Sequence, residues 1–265
     1  VSEESKPATQ LSPLLYDLTS LQREANSRFG FSAKSTLGLA QALYEKHKVL
    51  TYPRTDARAL PEDYLPTVRN TLTMLTGEGI GKGHDEGLIA RYSPFAHQIL
   101  ARHWVVPNKR IFNNTKISDH FAIIPTLQAP KHLSEPEQKL YDLVVKRFLA
   151  VFYPAAEYLL TTRITRVESE PFKTEGKVLV NPGWLAVYGR EGQEGDEGNL
   201  VVVKANESVK ADEVQLNANQ TRPPARYSEA TLLSAMESAG RMVDDEELKA
   251  AMAGRGLGTP ATRAQ

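Results

Sequence analysis

Residues 50–56 read Leu-Thr-Tyr-Pro-Arg-Thr-Asp, and the rest of the chain is best understood outward from them. Tyr52 offers a phenol, Arg54 a cation two residues on, and Asp56 a carboxylate. Pro53 has no N–H and biases the residue before it away from helical backbone, which sets Tyr52 in extended chain at a reversal. A phenol titrates near pH ~10, so it is a poor nucleophile at neutral pH unless its anion or its transition state is stabilised. A guanidinium is planar, always charged and able to fork onto two phosphate oxygens, which suits a pentacoordinate phosphorus. Tyr-x-Arg is therefore a minimal device for attack on a phosphodiester. The same residues also read as a packed aromatic on a rigid bend, and spacing alone leaves both readings open.

Upstream of this turn the pattern is helical. Residues 12–19 read as extended chain leading into a helix capped by Thr19 or Ser20, with Leu21, Ala25 and Phe29 on one face and a stop near Gly30. A second helix starts at Ser32 and places Thr36, Ala40, Leu43 and His47 at helical spacing, with Leu37 and Tyr44 alongside. It delivers the chain into Tyr52. Downstream, 61–75 reads as a helix with Pro61 in its first turn, and 95–104 as a short helix. The glycine-rich stretch 77–87 carries Lys82, His84, Asp85 and Glu86; without a recognisable ligand spacing it reads as a surface turn rather than a metal or phosphate loop.

Ser134 and Glu137 form a capping box that opens a helix striped by Leu140, Val144 and Phe148, with Leu143 beside them. After Pro154 the period changes to two. Residues 159–167, 177–180 and 200–204 read as strands, 189–198 as an acidic hairpin loop and 217–224 as a linker. A last helix follows Ser228, with Leu232, Leu233 and Met236 inward and Gly240 as its stop. Helices, then strands, then a helix is α+β segregation rather than alternating βαβ.

Composition bounds the answer loosely. The chain has 265 residues, is 41% hydrophobic and carries no net charge and no cysteine. It is long enough for more than one modest core, and it holds neither disulfides nor a cysteine-ligated zinc ribbon. No apolar run approaches a membrane span and no secretory signal opens it. Charge is unevenly placed. From 21 to 58 seven basic side chains (Arg23, Arg28, Lys34, Lys46, Lys48, Arg54, Arg58) face three acidic ones, and from 186 to 220 the ratio reverses. Phosphate binding depends on the local field, so zero net charge does not exclude it.

Two further stretches extend the reading of residues 52–56. Residues 118–126 read Ser-Asp-His-Phe-Ala-Ile-Ile-Pro-Thr, and 256–263 read Gly-Leu-Gly-Thr-Pro-Ala-Thr-Arg after a Tyr-Ser-Glu-Ala-Thr-Leu-Leu lead-in at 227–233. Together with the Tyr-Pro-Arg-Thr-Asp string, in this order, they resemble the type IA DNA topoisomerases, and most of all the bacterial topoisomerase III branch. The resemblance implies a multidomain α+β fold in which a helical domain carrying the tyrosine is inserted into a mostly β arch, or gate, domain. On that pattern 1–18 form the first arch segment and 19–133 the helical tyrosine domain. Residues 134–217 supply a connecting helix and the second arch segment, and 218–265 begin a helical DNA-binding domain. Both termini read as cuts through a larger protein.

The resemblance also implies a mechanism. Tyr52 would attack phosphorus to give a 5′-phosphotyrosyl bond and a free 3′-hydroxyl, with strand passage before religation and no need for ATP. Arg54 and His120 would serve both catalysis and DNA binding, and Thr259 and Arg263 would contact the DNA backbone. Thr55 and Asp56 would fix the turn. Mg²⁺ is expected in the intact enzyme, but the family's Glu-Lys acid/base pair and its Asp-x-Asp-x-Glu magnesium site are not found here. The acidic run 244–247 lacks that alternating spacing and reads as a solvated face. These residues alone are accordingly expected not to relax DNA. The expected partner is DNA, in single-stranded segments, with Phe29, Phe31 and Tyr44 available for stacking. A monomer without membrane association, in the bacterial cytoplasm and near the nucleoid, completes the expectation. The competing reading is a DNA-binding or scaffold module that has kept the fold without the chemistry.

Overall fold

The computed structural model describes residues 1–193, 200, 203–204, 207–242, 246–251 and 256–264. It combines helices with a three-stranded antiparallel sheet, and the chain divides into two compact units, Val1–Ser12 with Tyr153–Ala225 and Pro13–Phe152 with Arg226–Gln265.

The first unit holds the sheet, in the order β1 (Ser2–Gln10), β2 (Ala156–Val167), β3 (Glu170–Asn181). Both later strands run longer than the period-two pattern indicates. β1 has almost no apolar pattern of its own and takes its register from cross-strand pairs: Glu3 lies opposite Arg163 and holds it at 2.6 Å, and the Ser5 hydroxyl meets that of Thr161 at 2.9 Å. Pro7 is tolerated because β1 is an edge strand. β2 and β3 are joined at Glu168 and Ser169, whose φ angles of 50° and 75° make the two-residue connection that suits twisted strands. Part of 189–198 and two residues of the expected strand 200–204 lie outside the described residues; 189–193 belong to a 3₁₀ stretch, Gly183–Gln193. Trp184 anchors that stretch by donating from its indole N–H to Gln10 O at 2.9 Å. At Gly183 a Cβ would stand 2.3 Å from the Ala155 carbonyl oxygen, so no other residue fits.

The second unit is helical. α1 (Leu18–Phe29) is capped two to three residues earlier than the hydroxyl pattern suggests: Asp17 is the N-cap, accepting from Ser20 N at 2.7 Å, with Ser20 in the reciprocal position. Gly30 ends it in the left-handed region and Ser32 caps α2 (Ala33–Glu45). α3 (Leu65–Thr76) starts four residues after Pro61, since a 3₁₀ turn, Glu62–Tyr64, intervenes and Pro66 takes the N-terminal position. α4 (Glu86–Ala101) begins nine residues before the expected 95, because Asp85 in the glycine-rich stretch accepts from Leu88 N and nucleates it. Pro94 then lies inside the helix, where the cost of about 3 kcal/mol is offset by burying Leu88, Ile89, Tyr92, Ala96 and Ile99.

α5 (Glu135–Ala150) carries Leu140, Leu143, Val144 and Phe148 fully inside. It also buries Arg147, which donates to Leu14 O, to the Tyr16 hydroxyl and to Glu24 and lies over the Tyr16 ring. Its capping box forms as expected, and Glu137 in addition holds His47 Nε2 at 3.0 Å. Burial alone would raise the Glu137 carboxyl, but hydrogen bonds from the Ser134 hydroxyl and amide and from His47 outweigh it and hold the carboxyl below its usual range. A carboxyl lowered in the folded state adds stability above its unfolded pKa, and that contribution is lost as pH falls through the folded value. Glu137→Gln should therefore cost about 1 kcal/mol in urea unfolding at neutral pH, with the gap to wild type closing below the ordinary carboxylate range. A gap that persisted unchanged in acid would contradict this account.

After the exposed stretch 208–227, α6 (Glu229–Glu237) is capped by Ser228. It ends at Ser238 rather than Gly240, and Leu232 faces solvent while Leu233 is buried. Leu233 and Ala264 pack with Leu18, Ala33 and Leu37. The docking is also polar. Glu229 accepts from Ala33 N at the N-terminus of α2, and Asn26 accepts from Ala230 N. In the short α7 (Glu246–Ala251) Glu246 pairs with Lys249 and both are exposed; Asp244 and Asp245 lie outside the described residues.

Candidate active site

The turn at Tyr52 is built by long-range backbone pairing. After α2 the chain reverses at Lys48, a non-glycine residue at φ 59°, and enters an extended run. Thr126 N donates to Val49 O and Thr51 N to Ile124 O, both at 3.0 Å, around a bridge between Leu50 and Pro125. The Thr51 hydroxyl donates to Ala122 O and accepts from Ile124 N. Further on, Ala122 N donates to Ala59 O, and Ile123 N to Tyr16 O. Residues 49–59 and 120–126 are thus fastened to each other on both sides of Tyr52.

Thr55 is the clasp. It is 3% exposed; its hydroxyl donates to His120 O at 2.8 Å and accepts from Ala57 N at 3.0 Å, and its carbonyl accepts from Leu18 N. Thr55→Val keeps the shape but leaves the His120 carbonyl and the Ala57 amide unpaired. It should lower stability by about 1–3 kcal/mol, read as a shift of the urea midpoint at constant slope. An unchanged midpoint would mean that the hydroxyl contributes nothing.

These constraints bring the side chains together. The half-buried Tyr52 ring lies 4.2 Å from the His120 ring, centroid to centroid and tilted by 45°. Tyr44 from α2 meets the Tyr52 ring edge-on at 5.4 Å. Beside this stack is a cavity of about 190 Å³ lined by residues 54–56, 118–120 and 259–261. That is room for more than one water molecule, each of which needs roughly 10–15 Å³ of such space. Arg54 supplies a cation to it, and Asp56, which accepts from the Ser118 hydroxyl at 3.1 Å, and Asp119 supply carboxylates.

Arg54 itself is held. A guanidinium offers only donors, so the Gln41 amide is assigned, from the partner it faces, the orientation with its oxygen toward Arg54, in which it accepts from Nε at 3.2 Å and Nη2 at 2.8 Å. Gln41 does not stand out in the sequence. The available signal is that it precedes Tyr44 by three residues, so the two share a face of α2, the face turned to the Tyr52 turn. Arg58 is a second such residue: it reaches Asp17 Oδ2 at 2.6 Å and ties the end of the turn to the cap of α1.

Thr259 reaches the cavity and Arg263 does not. Thr259 lies in a turn closed by Thr262, whose hydroxyl accepts from Thr259 N at 2.8 Å. The Arg263 side chain is 3% exposed; it donates from Nε to Leu257 O at 2.7 Å, from Nη2 to Gly258 O at 3.1 Å and from Nη1 to the Thr19 hydroxyl at 3.3 Å. It locks the loop that presents Thr259. Gly256 lets that loop pass α6, since a Cβ there would stand 2.4 Å from Met236 O.

Of the aromatic residues expected to stack on DNA, Phe29 and Phe31 lie together, 5.4 Å apart, and Tyr44 lies against Tyr52. Among the described residues no cluster of three or more His, Asp or Glu side chains is arranged to hold a metal ion. No step is assigned to a metal ion on these residues.

A family model described as DNA topoisomerase matches residues 1–265. The chain belongs to the DNA topoisomerase family. Its relatives place it in the type IA class that the Tyr52 motif resembles. It is 42% identical over 275 residues to DNA topoisomerase 3 of Bacillus cereus and 42% over 276 residues to that of Bacillus subtilis, covering 100% of this chain and 36% of each relative. The Bacillus licheniformis protein of the same name is 43% identical over 262 residues, 95% of this chain and 34% of its own. Among solved structures, full-length topoisomerase I from Thermotoga maritima superposes with a TM-score of 0.66 at 24% identity, over 99% of this chain and 38% of that one, a likeness of fold. This topoisomerase chain thus spans little more than a third of the length of the curated relatives it matches. No helix among its described residues is long and apolar enough to cross a membrane.

Proposed function

We propose that Tyr52 is the nucleophile of a DNA strand-passage reaction and that these residues work as part of a longer protein. In the forward step the Tyr52 Oη–P bond forms and the P–O3′ bond breaks, giving a 5′-phosphotyrosyl linkage and a free 3′-hydroxyl. Religation is the same displacement reversed. One phosphoester replaces another, so ATP has no part in it. The observation that carries this reading is the convergence of three stretches far apart in sequence on one cavity beside the Tyr52–His120 stack.

Each group has a task on this reading. Arg54 offers its fork to the non-bridging oxygens and offsets the charge that grows on them. His120 hydrogen-bonds the phosphate region while its ring supports the phenol. Thr259 contacts the strand backbone, and Arg263 acts on DNA through the loop it locks. The sheet of the first unit serves as an arch that encloses the passing strand. Proton transfer to O3′ and magnesium binding belong to parts of the protein beyond these residues. On this view the 265 residues alone do not relax supercoiled DNA. The substrate is single-stranded DNA, and the working form is a monomer in the bacterial cytoplasm.

The test is covalent capture. The full-length protein is incubated with magnesium and a 3′-labelled single-stranded oligonucleotide, then denatured. Label retained on wild type and absent from Tyr52→Phe supports both the nucleophile and the 5′ polarity. DNA binding without label on either protein would favour a binding module that has kept the fold without the chemistry.

A further inference from the structure

Resting on that reading of Tyr52 and Arg54, we infer that Gln41 is a positioning residue for the reaction. Its side-chain oxygen takes the Nε/Nη2 edge of Arg54, so that the opposite edge of the guanidinium is presented to the phosphate. The argument begins with the five N–H donors of a guanidinium, which lie in one plane along two usable edges. Gln41 accepts from Nε at 3.2 Å and Nη2 at 2.8 Å. That contact occupies one edge and sets the plane of the group. The Nη1/Nη2 edge keeps three donors, enough to fork onto two oxygens, and Arg54 lines the cavity shared with His120 and Thr259.

The chemistry of the amide suits this task. A carboxylate at position 41 would hold the same edge but would offset the charge that Arg54 brings to the phosphate. A neutral acceptor orients the cation and leaves its charge undiminished. Geometry supports the assignment as well. Gln41 is on α2, three residues before Tyr44, whose ring packs on Tyr52. One helix face thereby holds both the nucleophile's ring and the electrophile-binding cation. A long exposed arginine on a turn loses considerable side-chain entropy when it is fixed. Holding it before DNA arrives removes that cost from the chemical step.

A double-mutant cycle tests this, with the rate of covalent capture of a labelled oligonucleotide measured at saturating DNA in the full-length protein. Gln41→Met preserves helix propensity and bulk but removes the acceptor. It should slow capture about tenfold with little change in half-saturating DNA, and it should have no further effect once Arg54 is alanine. Gln41→Glu restores an acceptor, so its capture rate should exceed that of Gln41→Met. Thermal melting accompanies each variant, and with an unchanged melt the comparison is of function alone. Equal slowing by Gln41→Met with Arg54 present or absent would overturn the proposal, as would no slowing at all. Gln41→Glu slower than Gln41→Met would do the same. If wild type gives no adduct, the nucleophile reading fails and this inference with it. A wild type that reacts, with an additive cycle, sinks the inference alone.

Discussion

Tyr52→Phe is expected to leave a folded protein that binds DNA and never becomes covalently attached to it. The prediction rests on what the substitution spares. The ring is held by its contacts with His120 and Tyr44, and phenylalanine makes both. Removing one hydroxyl from a half-buried ring should change stability by no more than about 0.5 kcal/mol. The DNA contacts proposed for Arg54 and Thr259 do not pass through Tyr52 Oη. Covalent label should nevertheless fall to background, because among the described residues lining the cavity no serine, threonine or tyrosine takes over: Thr55, Ser118 and Thr259 already serve His120 O, Asp56 and the Thr262 hydroxyl. Adduct formation by the phenylalanine variant would remove Tyr52 from the mechanism.

Arg54→Ala should be nearly as severe for the rate and much milder for the fold. Removing one preorganised donor group from a developing anion typically costs about 10²–10³-fold, or ~3–4 kcal/mol of transition-state stabilisation. Arg54 is exposed and has no part in the backbone pairing around the turn, so the unfolding midpoint should barely move. Arg54→Lys is the sharper variant. Lysine brings the charge without the planar fork, and it cannot be held by Gln41 along one edge while gripping two oxygens with the other. Single-turnover capture at saturating oligonucleotide should therefore place lysine well below arginine. A lysine variant that kept the full rate would mean that charge suffices and the fork is incidental.

The helical framework around the site was largely legible because its signals are local. Ser32, Gly30, and Ser134 with Glu137 act within one turn, and the stripes of α2 and α5 follow helical spacing. Elements stabilised from a distance were harder to read. β1 is a charged edge strand ordered by β2, and its sequence holds no period to find. α4 hides its start behind a glycine-rich stretch and carries a proline that signals a boundary where packing allows none. The β2–β3 turn uses Glu168 and Ser169 where glycine or asparagine would have marked it. At the site, the motifs announce Tyr52, Arg54, His120 and Thr259. Arg263 shows how far a motif reaches: the string contains the arginine, yet only tertiary packing turns it toward the carbonyls of Leu257 and Gly258. Gln41 belongs to no string and becomes visible through its partner alone.

The partners that fasten the Tyr52 turn come mostly from residues 65 to 78 positions further along the chain. During synthesis, therefore, Tyr52 emerges well before the His120–Thr126 stretch that shapes it. A polypeptide halted between the two carries the phenol and the arginine but lacks the clasp that sets them. On the reading of Tyr52 proposed above, an incomplete molecule therefore holds its nucleophile without the frame that shapes the site.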